Sequence, residues 1–164
     1  MTMFPEDVLG LSKSLIEACK AHSLMLVTAE SCTGGLIAAS ITAVSGSSEI
    51  FDRGFTTYSY DSKSEMLGVN MDDIIASGAV SETVARQMAE GALAHANAQL
   101  SVAVTGIAGP GGGSNEKPVG TVDIAAAREG RETVYLRRLF EGDRDAVRMQ
   151  TVKAALVMML GLVE

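Results

Sequence analysis

Twice in this chain a short run of apolar and β-branched residues breaks directly into a glycine-dense segment. Met25-Leu26-Val27-Thr28-Ala29 runs into Glu30-Ser31-Cys32-Thr33-Gly34-Gly35, and Leu100 to Thr105 runs into Gly106-Ile107-Ala108-Gly109-Pro110-Gly111-Gly112-Gly113-Ser114. Each run has the length and composition of a buried strand. Neither glycine segment can continue as regular structure. In open α/β sheets ligands gather at the carboxyl ends of strands, where these two junctions fall.

The rest of the pattern fits such a sheet. Residues 5–21 predict a helix, with Pro5 in its first turn and Val8, Leu11, Leu15 and Ala18 at helical spacing. A second helix is expected from about Gly34 to Ala43, then a turn at Ser45-Gly46-Ser47-Ser48 and a strand from Phe51 to Ser59. Short helices follow at Asp61–Leu67 and Met71–Ala76. Ser81 reads as the N-cap of a helix to about Ala96. Gly120–Ala127 and Glu132–Phe140 read as a strand pair. Asp143 then caps a last helix to about Leu160, with Val147, Ala154 and Met158 inward. With no linker and no internal repeat, residues 1–164 are expected to form one α/β domain, a mixed sheet with helices on both faces.

Only 4% of the residues are aromatic and Trp is absent, so the core must come from Ala, Val, Leu, Ile and nine Met. The formal charge of −7 argues against a nucleic-acid partner, whose binding draws on Lys and Arg at phosphates. Cys19 and Cys32 make neither a disulfide framework nor a zinc spacing, and no metal or other cofactor is expected. Glu6 and Asp7 stand where a signal peptide would be basic. No apolar run approaches the ~20 residues that span a bilayer, so no membrane partner is expected and the cytoplasm is the default compartment.

Ser31 stands at a strand-to-helix turn, where free N–H groups can hold a phosphate or an oxyanion. The alternative is that Ser31 or Thr33 is only an N-cap. The Thr105–Gly113 segment lacks the Gly-Lys-Ser/Thr ending of a P-loop and reads as an anion nest, a lid or a plain surface loop. A serine nucleophile needs a base. His22 and His95 lie near helix ends, away from the glycine segments, which speaks against a Ser-His-Asp triad. Among five lysines, Lys63 is the best placed, on a short helix near Tyr58, although an exposed helix lysine is the plainer reading. Cys32 is a rival nucleophile, read here as a packed core thiol. Arg144, at a helix start, suits either a phosphate or surface ion pairs.

Together these motifs resemble the CinA C-terminal domain family. The resemblance rests on Thr28 to Gly35, Gly46-Ser47-Ser48, Arg53-Gly54, Thr57-Tyr58-Ser59, Lys63, Gly78 to Ser81, Thr105 to Thr121 and Gly142-Asp143-Arg144. It runs nearly end to end. It implies a three-layer α/β/α sandwich and hydrolysis of nicotinamide mononucleotide to nicotinate mononucleotide and ammonia, within pyridine-nucleotide recycling. It further implies a metal-free Ser/Lys mechanism: Ser31 as nucleophile, Lys63 as general base and Tyr58 assisting proton transfer. The Thr33-Gly34-Gly35 amides are implied at the oxyanion, with Ser45, Gly46, Thr105, Gly106 and Arg144 as substrate contacts. A homo-oligomer, dimer or higher, is also expected; the alanine-rich helix at 81–96 suits either the core or a dimer. Asp61-Ser62 departs from the family's usual Asn-Glu, and a carboxylate near Lys63 would weaken it as a base. The alternatives are an amidase for another amidated nucleotide and a nucleotide-binding module without turnover.

Overall fold

The structure is a computed structural model and describes residues 3–164. Five strands form one mixed sheet in the order β2-β1-β3-β4-β5. β1 (Leu26–Glu30) lies parallel to both β2 (Phe51–Thr56) and β3 (Leu100–Gly106). β4 (Thr121–Arg128) and β5 (Val134–Leu139) continue it antiparallel. β1 is buried throughout and β3 and β4 are buried up to their half-buried last residues, while β5 is the exposed edge.

Strand alternation sorts the side chains into two cores. Leu26, Leu100, Val102, Val104, Val122, Ile124 and Ala126 pack under α1 (Glu6–Ala21), α2 (Leu36–Thr42) and α6 (Arg144–Val163). Val27, Ala29, Ala103, Ala125 and Ala127 pack under α3 (Tyr60–Leu67), α4 (Met71–Ser77) and α5 (Glu82–Ala94). Helices on both faces make the expected three-layer α/β/α sandwich. The small alanines on the second face let α5 approach closely. At Gly91 a Cβ would sit 1.9 Å from the Leu67 carbonyl oxygen, so backbone meets backbone between α5 and the end of α3.

Several boundaries differ from the sequence expectation, each for a local reason. α2 starts at Leu36 because Gly34 and Gly35 take left-handed φ values of 62° and 103°. β2 stops at Thr56, since Ser59 is taken up as the N-cap of α3. α6 runs on to Val163, and its buried face carries Val152, Ala155, Leu156 and Met159, with Ala154 and Met158 only half-buried. Pro5 stands one place before the expected first turn, at the N-cap of α1, while Ser81 and Asp143 occupy the expected N-caps and accept from Val84 N–H and Ala146 N–H. α6 is long and apolar enough to cross a membrane, contrary to the reading of the sequence by runs. Here it packs its apolar face on α1 and on β3 and β4.

Candidate active site

The alternation along β1 continues past its end and sends consecutive residues to opposite layers. Glu30 turns toward α2 and is fully buried. Its Oε2 accepts from Thr33 Oγ1 at 2.6 Å, Gly35 N at 3.1 Å and Ile37 N at 3.0 Å, and its Oε1 from Ala38 N at 2.9 Å. A carboxylate thus satisfies the open N–H groups at the start of α2, where its charge suits the helix dipole. Gly34 N–H donates to the Ser31 carbonyl and closes the turn. Of the three amides expected at an oxyanion, those of Gly34 and Gly35 are bonded inside the turn. Thr33 is buried with its hydroxyl on Glu30.

Ser31, the next residue, turns toward α3. Lys63 Nζ donates to Ser31 Oγ at 2.9 Å and to the Thr57 carbonyl at 2.6 Å. Lys63 is 1% exposed and is among the largest fully buried side chains of the protein. Burial pushes its pKa down to about 8, with the neighbouring Cys32 opposing slightly. Among the described residues no carboxylate pairs with its ammonium. The helix that carries it is fixed by a reciprocal cap: Ser62 N–H donates to Ser59 Oγ, and Ser59 N–H to Ser62 Oγ, both at 3.1 Å. Ser62 thus has a use in place of the family's usual residue, and Asp61 is exposed.

Ser31 and Lys63 open into a cleft of about 280 Å³. Its walls include Tyr58, Ala79 and Val80 from the α4–α5 link, the Thr105–Gly112 segment and Arg144. Arg144 Nη1 donates to the Gly109 carbonyl at 2.8 Å, and Nη2 to Tyr58 Oη at 3.1 Å. Thr105 Oγ1 donates to the Ala79 carbonyl at 2.9 Å, which ties the cleft wall to β3. The glycine segment is held as well: Lys117 Nζ donates to the Ser77 carbonyl at 2.8 Å. Cys32 lines the same cleft yet is 5% exposed, and burial pushes its thiol up to about 12.

Other expected residues lie elsewhere. Ser45 and Gly46 follow the C-terminus of α2, and a Cβ on Gly46 would touch Lys20 Nζ. Lys20 lies with Met25 around a separate cavity at the N-terminal end of β1, so the structure does not bring Ser45 and Gly46 to the cleft. His22 and His95 are the C-caps of α1 and α5 and line no part of it. Two residues that border the site went unseen in the sequence. Glu30 had a signal, an acid closing a fully buried strand with no other charge. Arg148 had a weaker one, standing four residues after Arg144 on one face of α6: its Nε donates to the Cys32 carbonyl and its Nη2 to the Thr33 carbonyl, both at 3.1 Å.

The CinA C-terminal domain family model matches residues 9–163. This chain belongs to that family. Similar relatives of this CinA C-terminal domain include two proteins named nicotinamide-nucleotide amidohydrolase PncC. The one from Escherichia coli strain K12 is 49% identical over 154 residues, covering 94% of this chain and 93% of the relative. The one from Enterobacter agglomerans is 51% identical over 140 residues, covering 85% of each. Among solved structures, the competence/damage inducible protein CihA from Agrobacterium tumefaciens superposes with a TM-score of 0.97 at 46% identity, over 100% of both chains. The CinA fold described above, mixed sheet and three layers, is shared with that structure.

Proposed function

We propose that this CinA C-terminal domain is a nicotinamide-nucleotide amidohydrolase that uses Ser31 as nucleophile and Lys63 as its base. The observation that carries the reading is the 2.9 Å contact between Ser31 Oγ and a lysine amine buried without a carboxylate. The names and coverage of the PncC relatives supply the substrate.

In the reactive form, which grows as pH rises through about 8, the amine is neutral, with one N–H on the Thr57 carbonyl and its lone pair toward Ser31. The Ser31 hydroxyl gives its proton to Lys63 Nζ while Oγ attacks the carboxamide carbon of nicotinamide mononucleotide. The tetrahedral oxyanion forms between the Ser31 turn and the Gly106–Gly112 wall. The lysine ammonium returns the proton to the departing nitrogen, the C–N bond breaks and ammonia leaves. Water then attacks the Ser31 ester, again losing its proton to Lys63, and nicotinate mononucleotide departs. Tyr58 assists proton movement, and Arg144, linked to it at the cleft mouth, contacts the nucleotide. Thr105 and Gly106 line its bed. On this reading the enzyme acts in the cytoplasm, in pyridine-nucleotide recycling, without a metal.

Incubation of the purified protein with nicotinamide mononucleotide tests the reading. Ammonia and nicotinate mononucleotide should appear in equal amounts. Binding of the nucleotide without either product would replace the enzyme with a binding module.

A further inference from the structure

The turn that carries Ser31 is made of permissive backbone. Gly34 and Gly35 sit at φ 62° and 103°, and the backbone bonds across the turn are Gly34 N–H to the Ser31 carbonyl and Leu36 N–H to the Thr33 carbonyl. Such a segment holds one direction for Ser31 Oγ only when outside groups fix it. Glu30 fixes it from below, through the start of α2. From the side comes Arg148, in the second turn of α6.

The Arg148 guanidinium spans two consecutive carbonyls, Cys32 and Thr33, at 3.1 Å each. A planar fork restrains orientation as well as distance, which one ammonium cannot do. Thr33 O also accepts from Leu36 N–H, whereas Cys32 O accepts from Arg148 Nε. The ion pair with Asp145, at 4.0 Å between the groups and with Asp145 92% exposed, leaves the guanidinium directed inward at the turn. Four residues earlier on the same helix face, Arg144 holds the opposite wall through the Gly109 carbonyl. One face of α6 thereby holds both the nucleophile turn and the glycine segment.

We propose that Arg148 is a positioning residue, whose fork on the Cys32 and Thr33 carbonyls holds Ser31 Oγ in line with Lys63 Nζ. The proposal rests on the amidohydrolase reading above. It predicts a defect in the chemical step and not in substrate binding, since Arg148 lines no part of the cleft.

The test compares wild type, R148A and R148K for ammonia release from nicotinamide mononucleotide, with melting curves to confirm folding. In folded R148A, kcat should fall by about 10- to 100-fold, the scale of a misplaced reacting group, with KM within about twofold. The pH profile should keep its midpoint, because Lys63 is untouched. Millimolar guanidinium, far below denaturing levels, should restore part of kcat to R148A. R148K should remain as impaired as R148A. A folded R148A or R148K with wild-type kcat overturns the proposal, as does a loss seen only in KM. If R148A does not fold, R148K decides alone. Wild type without ammonia release would instead overturn the amidohydrolase reading itself, which separates the two failures.

Discussion

Ser31 Oγ and Lys63 Nζ lie 2.9 Å apart, one at the end of the central strand β1 and the other on the short helix α3, with α2 and β2 between them in the chain. Three features make this contact. Strand alternation turns Ser31 to the α3 layer while Glu30 goes to the α2 layer. The Ser59–Ser62 cap fixes where α3 begins. Close packing of α5 on the end of α3 fixes its depth.

Burial of Lys63 sets a pH dependence for activity. The base is the neutral amine, whose pKa is about 8, so kcat/KM should rise with one-proton behaviour through about pH 8 and level off above it. A profile flat between about pH 6 and 9 would contradict the role given to this amine.

The same burial costs stability, with a definite sign. The folded state releases the Lys63 proton near 8 and the unfolded chain only near 10.5, so the unfolded state holds more protons between those values. Stability is lowest below pH 8 and recovers as pH rises toward 10.5. Lys63→Met should therefore stabilise the inactive protein at pH 7 by up to about 3 kcal/mol, the gain narrowing at high pH. Urea unfolding at pH 7 and pH 10 reads this directly; a variant less stable at pH 7 would contradict it.

Replacing Glu30 should loosen the nucleophile turn. Glu30→Gln puts an N–H₂ among four donors and leaves at least one unpaired, at a cost of about 1–3 kcal/mol. Ammonia release should fall in the same variant, at temperatures where it is still folded. An unchanged melting curve would show that these bonds are not required.

Much of this was legible in the sequence, and the gaps have a pattern. Element types follow from periodicity and turn chemistry, which act locally: Ser81 and Asp143 as caps, the strand pair after Gly120, both glycine junctions. Ser31 stands out by its strand-to-helix turn, whereas Lys63 reads more plainly as an exposed helix lysine and gains its role only from the family resemblance. What escaped depends on partners distant in sequence. A helix N-terminus reads as an open anion site until a carboxylate such as Glu30 is seen to occupy it. Ser45 and Gly46 are substrate contacts by the resemblance, yet α2 carries them to the other end of the sheet. Arg148 acts through bonds to residues more than a hundred positions away.

Gly91→Ala should affect both folding and catalysis. A Cβ there meets the Leu67 carbonyl, so α5 and α3 must separate, and Lys63 moves with α3. A loss of about 1–3 kcal/mol, typical of overpacking, should accompany a lower kcat. Thermal melts and single-point assays on the purified variant check both. A wild-type melting temperature would mean that the two helices yield freely.

Cys32 faces the cleft but should not react. Its thiol is held protonated to about 12, and the thiolate is the reactive form. Iodoacetamide at about pH 8 should leave Cys32 of the folded protein unmodified, as seen by peptide mass, and Cys32→Ala should retain most ammonia release. Rapid alkylation that tracks loss of activity would move the nucleophile to Cys32.

The most direct measurement is the rate of ammonia release from nicotinamide mononucleotide by wild type, Ser31→Ala and Lys63→Ala, each confirmed to be folded. The account predicts steady release by wild type and a fall of at least about a thousandfold in both variants, as expected when a nucleophile or its base is removed. Release by folded Ser31→Ala at a rate near that of wild type would contradict it.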